Sequence, residues 1–293
     1  MVLYGTIPNG ILGQAPYCIH TITVKNNSPP TISLEASTFT LALILIKNDV
    51  NEISAIIDNH IMPVFASLYT GRSEILAKRQ YRGNRALKVV HDCKTKDNSL
   101  IYFARKLKSI PYVARTLEGG ECERLVVNLR QLDCTTYVEN VIALYLCIKN
   151  GKTTFRDFCN YLRNIRYENG IVTYPTRLHY FSYWIEQNTL TGIVREIVPQ
   201  DSSVTEDSEY DIYYMSSNPE KYPALRKDTS LIDDIAEMEK YFDGKTYRYI
   251  PKAKLKNPES LQAYIKDGDI IAIVTNKKGL DISHIGFAAW HKG

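Results

Sequence analysis

The chain lacks most of the features that assign a protein at sight. Its six cysteines, at 18, 93, 122, 134, 147 and 159, form no CxxC pair and share no repeated spacing. That pattern excludes a zinc site or a dense disulfide framework, and no metal or other cofactor is expected. No apolar run approaches the ~20 residues of a membrane-spanning helix. The most apolar stretch, Phe39 to Ile46, lies far from Met1 and has no basic segment before it. No export signal is therefore legible. The net charge is only +4, with Lys and Arg scattered apart from Lys78-Arg79 and the 252–256 run. So weak a balance implies neither nucleic acid nor an anionic membrane as partner.

The bulk is that of a soluble protein, 44% hydrophobic and 23% charged, long enough for one large domain or two modest ones. Tyrosine is abundant, 21 copies against 8 Phe. Two readings stay open: an amphipathic surface for a sugar or peptide, or composition without function.

Patterning divides the chain at about residue 95. Residues 1–94 read weakly, with Gly/Pro/Asn clusters and a possible helix over Ile53–Leu76 interrupted by Pro63. From Asn98 the helical period sharpens. Leu100, Ile101, Phe103, Ala104 and Leu107 predict an amphipathic helix stopped by Pro111. The segment Tyr112–Arg130 reads as a loop around Gly119-Gly120, with a short extended piece at Val126–Leu129. Helices follow over 134–148, Thr154–Arg166, Leu178–Gln187 and Leu231–Tyr241, with a polar surface excursion over Pro199–Pro223. Thr246–Ile250 alternates and Leu261–Ile265 suggests one short helix. The runs 270–274 and 282–290, joined by a turn at Asn276–Gly279, predict a β-hairpin. Helices first and strands later give an α+β fold with the sheet packed on the central helix.

The chemistry centres on Leu132-Asp133-Cys134-Thr135. Asp133 is placed to cap the apolar helix that Cys134 opens. A thiol there faces unsatisfied N–H groups and the positive end of the helix dipole, which favour the nucleophilic thiolate. The bland alternative is a buried structural thiol, which is the reading adopted for Cys147 and Cys159. A cysteine nucleophile needs a base. His284 opens the second hairpin strand, on one face with Ile282 and Gly286, and the Cys134 helix is expected across that face. It is either that base or a satisfied histidine at a sheet edge. His179, beside Arg177 in an aromatic helical context, is either cleft wall or surface packing.

Several separated strings then carry a resemblance. Ser109–Val113, Thr116–Glu118, Glu123–Leu129 and Leu132–Glu139, followed by Arg177–Ile185 and Ser283–Gly286, resemble the DUF1460 branch of the NlpC/P60 cysteine hydrolases. The resemblance covers about residues 95–293, and the segment 1–94 matches nothing. It implies a papain-like α+β core, with a nucleophile-bearing helix packed on an antiparallel sheet. By that mapping Cys134 is the nucleophile, His284 the general base and Tyr112 the tyrosine beside the nucleophile. Arg177, His179 and Tyr180 would line the cleft.

The implied activity is that of an N-acetylmuramoyl-L-alanine amidase acting on peptidoglycan fragments, chiefly 1,6-anhydro-muropeptides, at the cell envelope. The alternatives are a γ-D-glutamyl-diaminopimelate endopeptidase or a truncated, inactive remnant. The remnant reading is motivated by Gly293, nine residues past His284. In the family a further strand supplies a third residue that orients the histidine. On that comparison the chain is expected to be truncated at the C-terminus, with the edge of the histidine strand unpaired.

Overall fold

The computed structural model describes residues 2–4, 18–24, 99–118, 122–152, 154–197, 199, 203–256 and 261–290. The helix expected over Ile53–Leu76 lies outside them. The described helices are α1 (Ser99–Leu107), α2 (Cys134–Lys149), α3 (Phe155–Arg166), α4 (Phe181–Leu190), α5 (Pro223–Lys227) and α6 (Leu231–Lys240). The strands are β1 (Val2–Tyr4), β2 (Cys18–Val24), β3 (Val194–Ile197), β4 (Glu206–Glu209), β5 (Thr246–Pro251), β6 (Ile270–Val274) and β7 (Ile282–Ala289). The architecture is α+β.

Helix α2 is the axis of the core. Its residues Tyr137, Val138, Val141, Ile142 and Ala143 are fully buried, and Glu139 and Asn140 with them, so it is buried on nearly every side rather than amphipathic. Each such Val, Leu or Ile contributes roughly 1.5–3 kcal/mol on leaving water. α1 and α3 pack on it through amphipathic faces, and β7 supports it from the sheet side. Tyr137 links these layers: its hydroxyl donates to Ala104 O at 2.6 Å, and its ring lies 5.9 Å from that of Phe287.

The strands form one antiparallel sheet in the order β1-β7-β6-β2-β5-β4, with β3 beside the far end of β2. The predicted hairpin is β6–β7. Ile270, Ala272, Ile285, Phe287 and Ala289 face the helices, while Ile271 and Ala288 join a smaller core with Ile250, Leu261 and Ile265. The edge of β7 is not left bare as expected. β1 pairs with it over Phe287–Ala289, and β2 pairs with β6 over Ile270–Val274. Two short segments before residue 25 thus complete the sheet.

Three further expectations are corrected. α4 begins at Phe181, not Leu178. Upstream of it Thr176 folds back to Ile171 O at 2.6 Å, and Leu178 N–H is drawn across to Arg166 O at 2.9 Å, so residues 171–180 cannot join the helix. The start of α4 is instead capped from the hairpin, where Asp281 Oδ2 accepts Ser182 N–H at 2.7 Å. The excursion around 199–223 is no mere surface loop, because Ile212 and Met215 are buried within it. The piece at Val126–Leu129 forms no strand. Its Val126 carbonyl accepts Arg166 instead, at 2.6 Å.

Candidate active site

The chain before α2 is laced to the loop that follows α1. Leu132 N–H donates to Pro111 O, and Val113 N–H to Leu132 O, each at 3.1 Å. This short parallel bridge pairs Tyr112 with Leu132 and brings the tyrosine beside the start of α2. Asp133 then caps the helix. Its Oδ1 accepts Thr136 N–H at 2.8 Å, and its own N–H donates to Thr136 Oγ1 at 2.9 Å. The capping box is closed by threonine rather than the usual Glu or Gln, and such a cap contributes ~1 kcal/mol.

Cys134, the first helical residue, is partly exposed. The Tyr112 hydroxyl donates to its sulfur. The backbone N–H of Ile285 and the Thr135 hydroxyl and N–H lie on the same side of the balance, each favouring the thiolate. Backbone N–H groups lie in the plane of a sheet. The influence of the Ile285 N–H therefore sets the sulfur beside the outer edge of β7, two residues short of where β1 begins to pair.

The thiolate expected from the helix position is not the resting form. Burial pushes the Cys134 thiol above its ordinary range and the Asp133 charge adds to the effect, outweighing the nearby N–H and hydroxyl dipoles that favour the thiolate. Burial likewise raises the Tyr112 phenol, so it stays a donor. Cys147, pushed up to about 12, is an inert core thiol.

His284 is 2% exposed, and neither ring nitrogen makes a hydrogen bond. Burial lowers its basicity, and the Asp133 charge acts against that. The expectation that the α2 face carries His284 is corrected. Ile285 and Phe287 occupy that face, so alternation turns His284 to the other side of the strand. Cys134 meets the histidine's strand at its edge. The structure thus brings Tyr112, Asp133 and Cys134 together with the 284–285 segment.

Arg177 and Tyr180 are buried, His179 is partly buried, and each is held in a network of its own. Arg177 pairs with Glu118, lies 3.6 Å from Glu123 and stacks 4.8 Å from the Tyr174 ring. His179 Nε2 bonds Tyr174 O at 2.8 Å, and burial beside Arg177 depresses its basicity to about 3. The Tyr180 hydroxyl donates to Glu239 at 2.6 Å, whose carboxylate also accepts Met215 and Ser216 N–H. These side chains fasten the loops around the site. Sequence reasoning missed their acids; Glu118 and Glu123, bracketing Gly119-Gly120, were the visible signal.

Among the described residues no three His, Cys, Asp or Glu side chains converge as a metal site. Nor is any helix there long and apolar enough to cross a membrane.

The class of an α+β unit of this kind, a hydrolase, comes from comparison with known proteins, which also gives the family. The model of the AmiA-like family, described as N-acetylmuramoyl-L-alanine amidase-like, matches residues 102–293, and the chain belongs to that family. A Bacteroides uniformis N-acetylmuramoyl-L-alanine amidase is 37% identical, with a TM-score of 0.61 over 66% of this chain and 80% of its own. A Bacteroides fragilis protein, provisionally described as a xylanase, is 40% identical, with a TM-score of 0.58 over 63% of this chain and 80% of its own. Legionella pneumophila LPG0564, a DUF1460 protein, shares the fold at 21% identity and a TM-score of 0.53, over 74% of this chain and 82% of its own. Among curated proteins nothing matches.

Proposed function

We propose that the chain is a cysteine amidase that hydrolyses the N-acetylmuramoyl-L-alanine bond of peptidoglycan fragments, chiefly 1,6-anhydro-muropeptides, at the cell envelope. The observation that carries the reading is a partly exposed thiol at the first turn of α2, beside the Tyr112 hydroxyl and against the strand of His284, in a member of an amidase-like family. The papain-like NlpC/P60 core of residues 95–293 is its scaffold, with β1 and β2 completing the sheet.

In this reading the Cys134 thiol passes its proton to His284 as the sulfur attacks the lactyl carbonyl carbon. Tyr112 and the first N–H groups of α2 receive the charge that develops on the carbonyl oxygen. The C–N bond breaks, and His284 returns the proton to the departing alanine amine. Water then attacks the thioester, giving up its proton through His284 and releasing the lactyl carboxylate and the thiol. Arg177, His179 and Tyr180 act by fastening the cleft loops. A glycosidase reading, which the xylanase description raises, fits less well. Glycoside hydrolysis usually needs two carboxylates flanking the bond, whereas here Asp133 stands beside a thiol, a phenol and an imidazole.

The test is mass spectrometry of an anhydro-muropeptide digest. Free anhydro-muramic sugar plus intact peptide is expected, and Cys134→Ala abolishes it. A shortened peptide still on the sugar means an endopeptidase and overturns the amidase assignment. Equal turnover by Cys134→Ala removes the cysteine from the chemistry.

A further inference from the structure

The regular alternation of β7 breaks one residue before His284. Val274 of β6 pairs with Ile282, yet its neighbour Ile273 pairs with His284. Two steps along β7 thus match one along β6, and Ser283 is the extra residue of a β-bulge. The bulge decides which way the histidine faces. Ile282 packs against the helical core that also holds Ile285 and Phe287. In an unbroken strand Ile282 and His284 would share a face. The extra residue separates them and leaves His284 on the side away from that core.

The bulge is pinned at two points. Ser283 Oγ donates to Ile273 O at 3.0 Å, tying the extra residue across to β6. Two residues earlier, Asp281 is 8% exposed and both its carboxylate oxygens are occupied. Oδ2 accepts Ser182 N–H and Oδ1 accepts Ile282 N–H, each at 2.7 Å. The Asp281 carbonyl accepts Thr275 N–H at 3.1 Å, which closes the hairpin. Ser182 is the second residue of α4, and Tyr180, at the cap position, supplies no side-chain bond. A carboxylate that takes a free N–H at the positive end of a helix is held firmly. Asp281 therefore joins the hairpin to α4 across 99 residues of sequence.

The imidazole depends on its backbone for direction. His284 is 2% exposed, and among the described residues neither ring nitrogen has a hydrogen-bond partner. What aims the ring is the strand that carries it, through the bulge one residue before and the anchor three residues before. Bulges next to reactive sites commonly re-aim a side chain in this way.

We infer that Asp281 and Ser283 are positioning residues for His284: the carboxylate anchors the hairpin to α4, and the hydroxyl holds the bulge that aims the imidazole. The catalytic use of the aimed ring rests on the amidase reading and deepens it.

The test compares Ser283→Ala, Ser283→Thr and Asp281→Asn with the parent chain. Ser283→Ala removes the hydroxyl and Ser283→Thr keeps it. Asp281→Asn keeps the shape but turns an amide N–H toward one of the two donors. Thr154→Ala is the control. Thr154 Oγ1 caps α3 by accepting Asp157 N–H at 3.1 Å, so its loss costs stability away from the hairpin. The first readout is the His284 ring, followed by NMR with nitrogen-labelled histidine and assigned by its loss in His284→Gln. In the parent it titrates below its ordinary value, because burial outweighs the Asp133 charge. Ser283→Ala and Asp281→Asn should admit water to the ring and raise the midpoint by about half a pH unit or more. Ser283→Thr and Thr154→Ala should leave it in place. The second readout is turnover of anhydro-muropeptide. Ser283→Ala and Asp281→Asn should lose up to roughly 100-fold in kcat, with KM little changed.

A His284 midpoint unmoved in both variants, or moved equally in Thr154→Ala, overturns the inference whatever the melting temperatures. Midpoints that move as expected in a chain without turnover keep the positioning and sink the amidase reading. Turnover by the parent with unmoved midpoints does the reverse.

Discussion

Cys134 is set against the strand of His284, and the backbone N–H of Ile285, the next residue, favours its thiolate. This places the candidate nucleophile beside the histidine's own strand. It does so at the strand's edge, and without a direct bond to the imidazole, both of whose nitrogens are unpartnered. Burial raises the thiol and lowers the imidazole, so both rest uncharged.

That resting state sets the pH dependence of thiol chemistry. Thiolate forms only as pH rises past the ordinary thiol range of about 8.5. The rate of Cys134 alkylation by iodoacetamide is therefore expected to climb through pH 8–10. A plateau already reached by pH 7 would mean a thiolate–imidazolium pair and contradict the account.

Tyr112→Phe removes one donor from the sulfur and leaves the Pro111–Val113 backbone bridge to Leu132 in place. Thermal stability should change little. Loss of one such donor typically costs ~100-fold in kcat, with KM less affected. Steady-state kinetics on the two proteins checks this, and an unchanged kcat removes Tyr112 from the mechanism.

His179 makes the fold acid-sensitive. Its basicity is depressed to about 3 in the folded chain, whereas it titrates near 6.5 when unfolded. Between those values the unfolded state binds a proton that the folded state refuses. Stability therefore falls as pH drops through 6.5, by up to ~1.4 kcal/mol per unit, and the loss ends near pH 3. His284, depressed in the same direction, adds to it. Urea midpoints at pH 7 and pH 5 should differ less in His179→Gln than in the parent.

Glu139 and Arg166 form an ion pair at 2.7 Å with both side chains 2% exposed. Replacing one partner strands the other, at a cost of ~3–5 kcal/mol. Glu139→Leu alone should lower the urea midpoint sharply, and Glu139→Leu/Arg166→Met should recover much of it. Equal losses in the single and double variants would show that packing, not the stranded charge, sets the cost.

Arg115 sits at φ +63°, in the left-handed region that side chains avoid. Arg115→Gly should relieve that strain and stabilise the chain by ~1 kcal/mol or somewhat less. A fall in melting temperature would show that the arginine side chain compensates.

The period of the sequence made some elements legible and left others silent. α2, its Asp133 cap and the β6–β7 hairpin show in the sequence because apolar spacing and a capping residue act locally. α4 was misplaced because the bonds that stop it come from Thr176 and the distant Arg166 carbonyl. Arg177, His179 and Tyr180 drew attention as polar and aromatic residues. Their acids, Glu118, Glu123 and Glu239, lie up to 59 residues away. The same distance hides β1 and β2, whose partners are at the other end of the chain.

The position of β2 carries a consequence for synthesis. Residues Cys18–Val24 pair with β6 on one side and with β3 and β5 on the other. This strand leaves the ribosome early, yet its partner β6 is made some 250 residues later. At ~5–20 residues per second the gap lasts at least ten seconds or so. Contacts this far apart in sequence also close slowly. Helix α2 can be made and buried among its neighbours while the sheet beneath it still waits for its middle strand. For that interval β2 presents unpaired N–H and C=O groups, and a chaperone that covers it would govern how much of the protein reaches the native sheet.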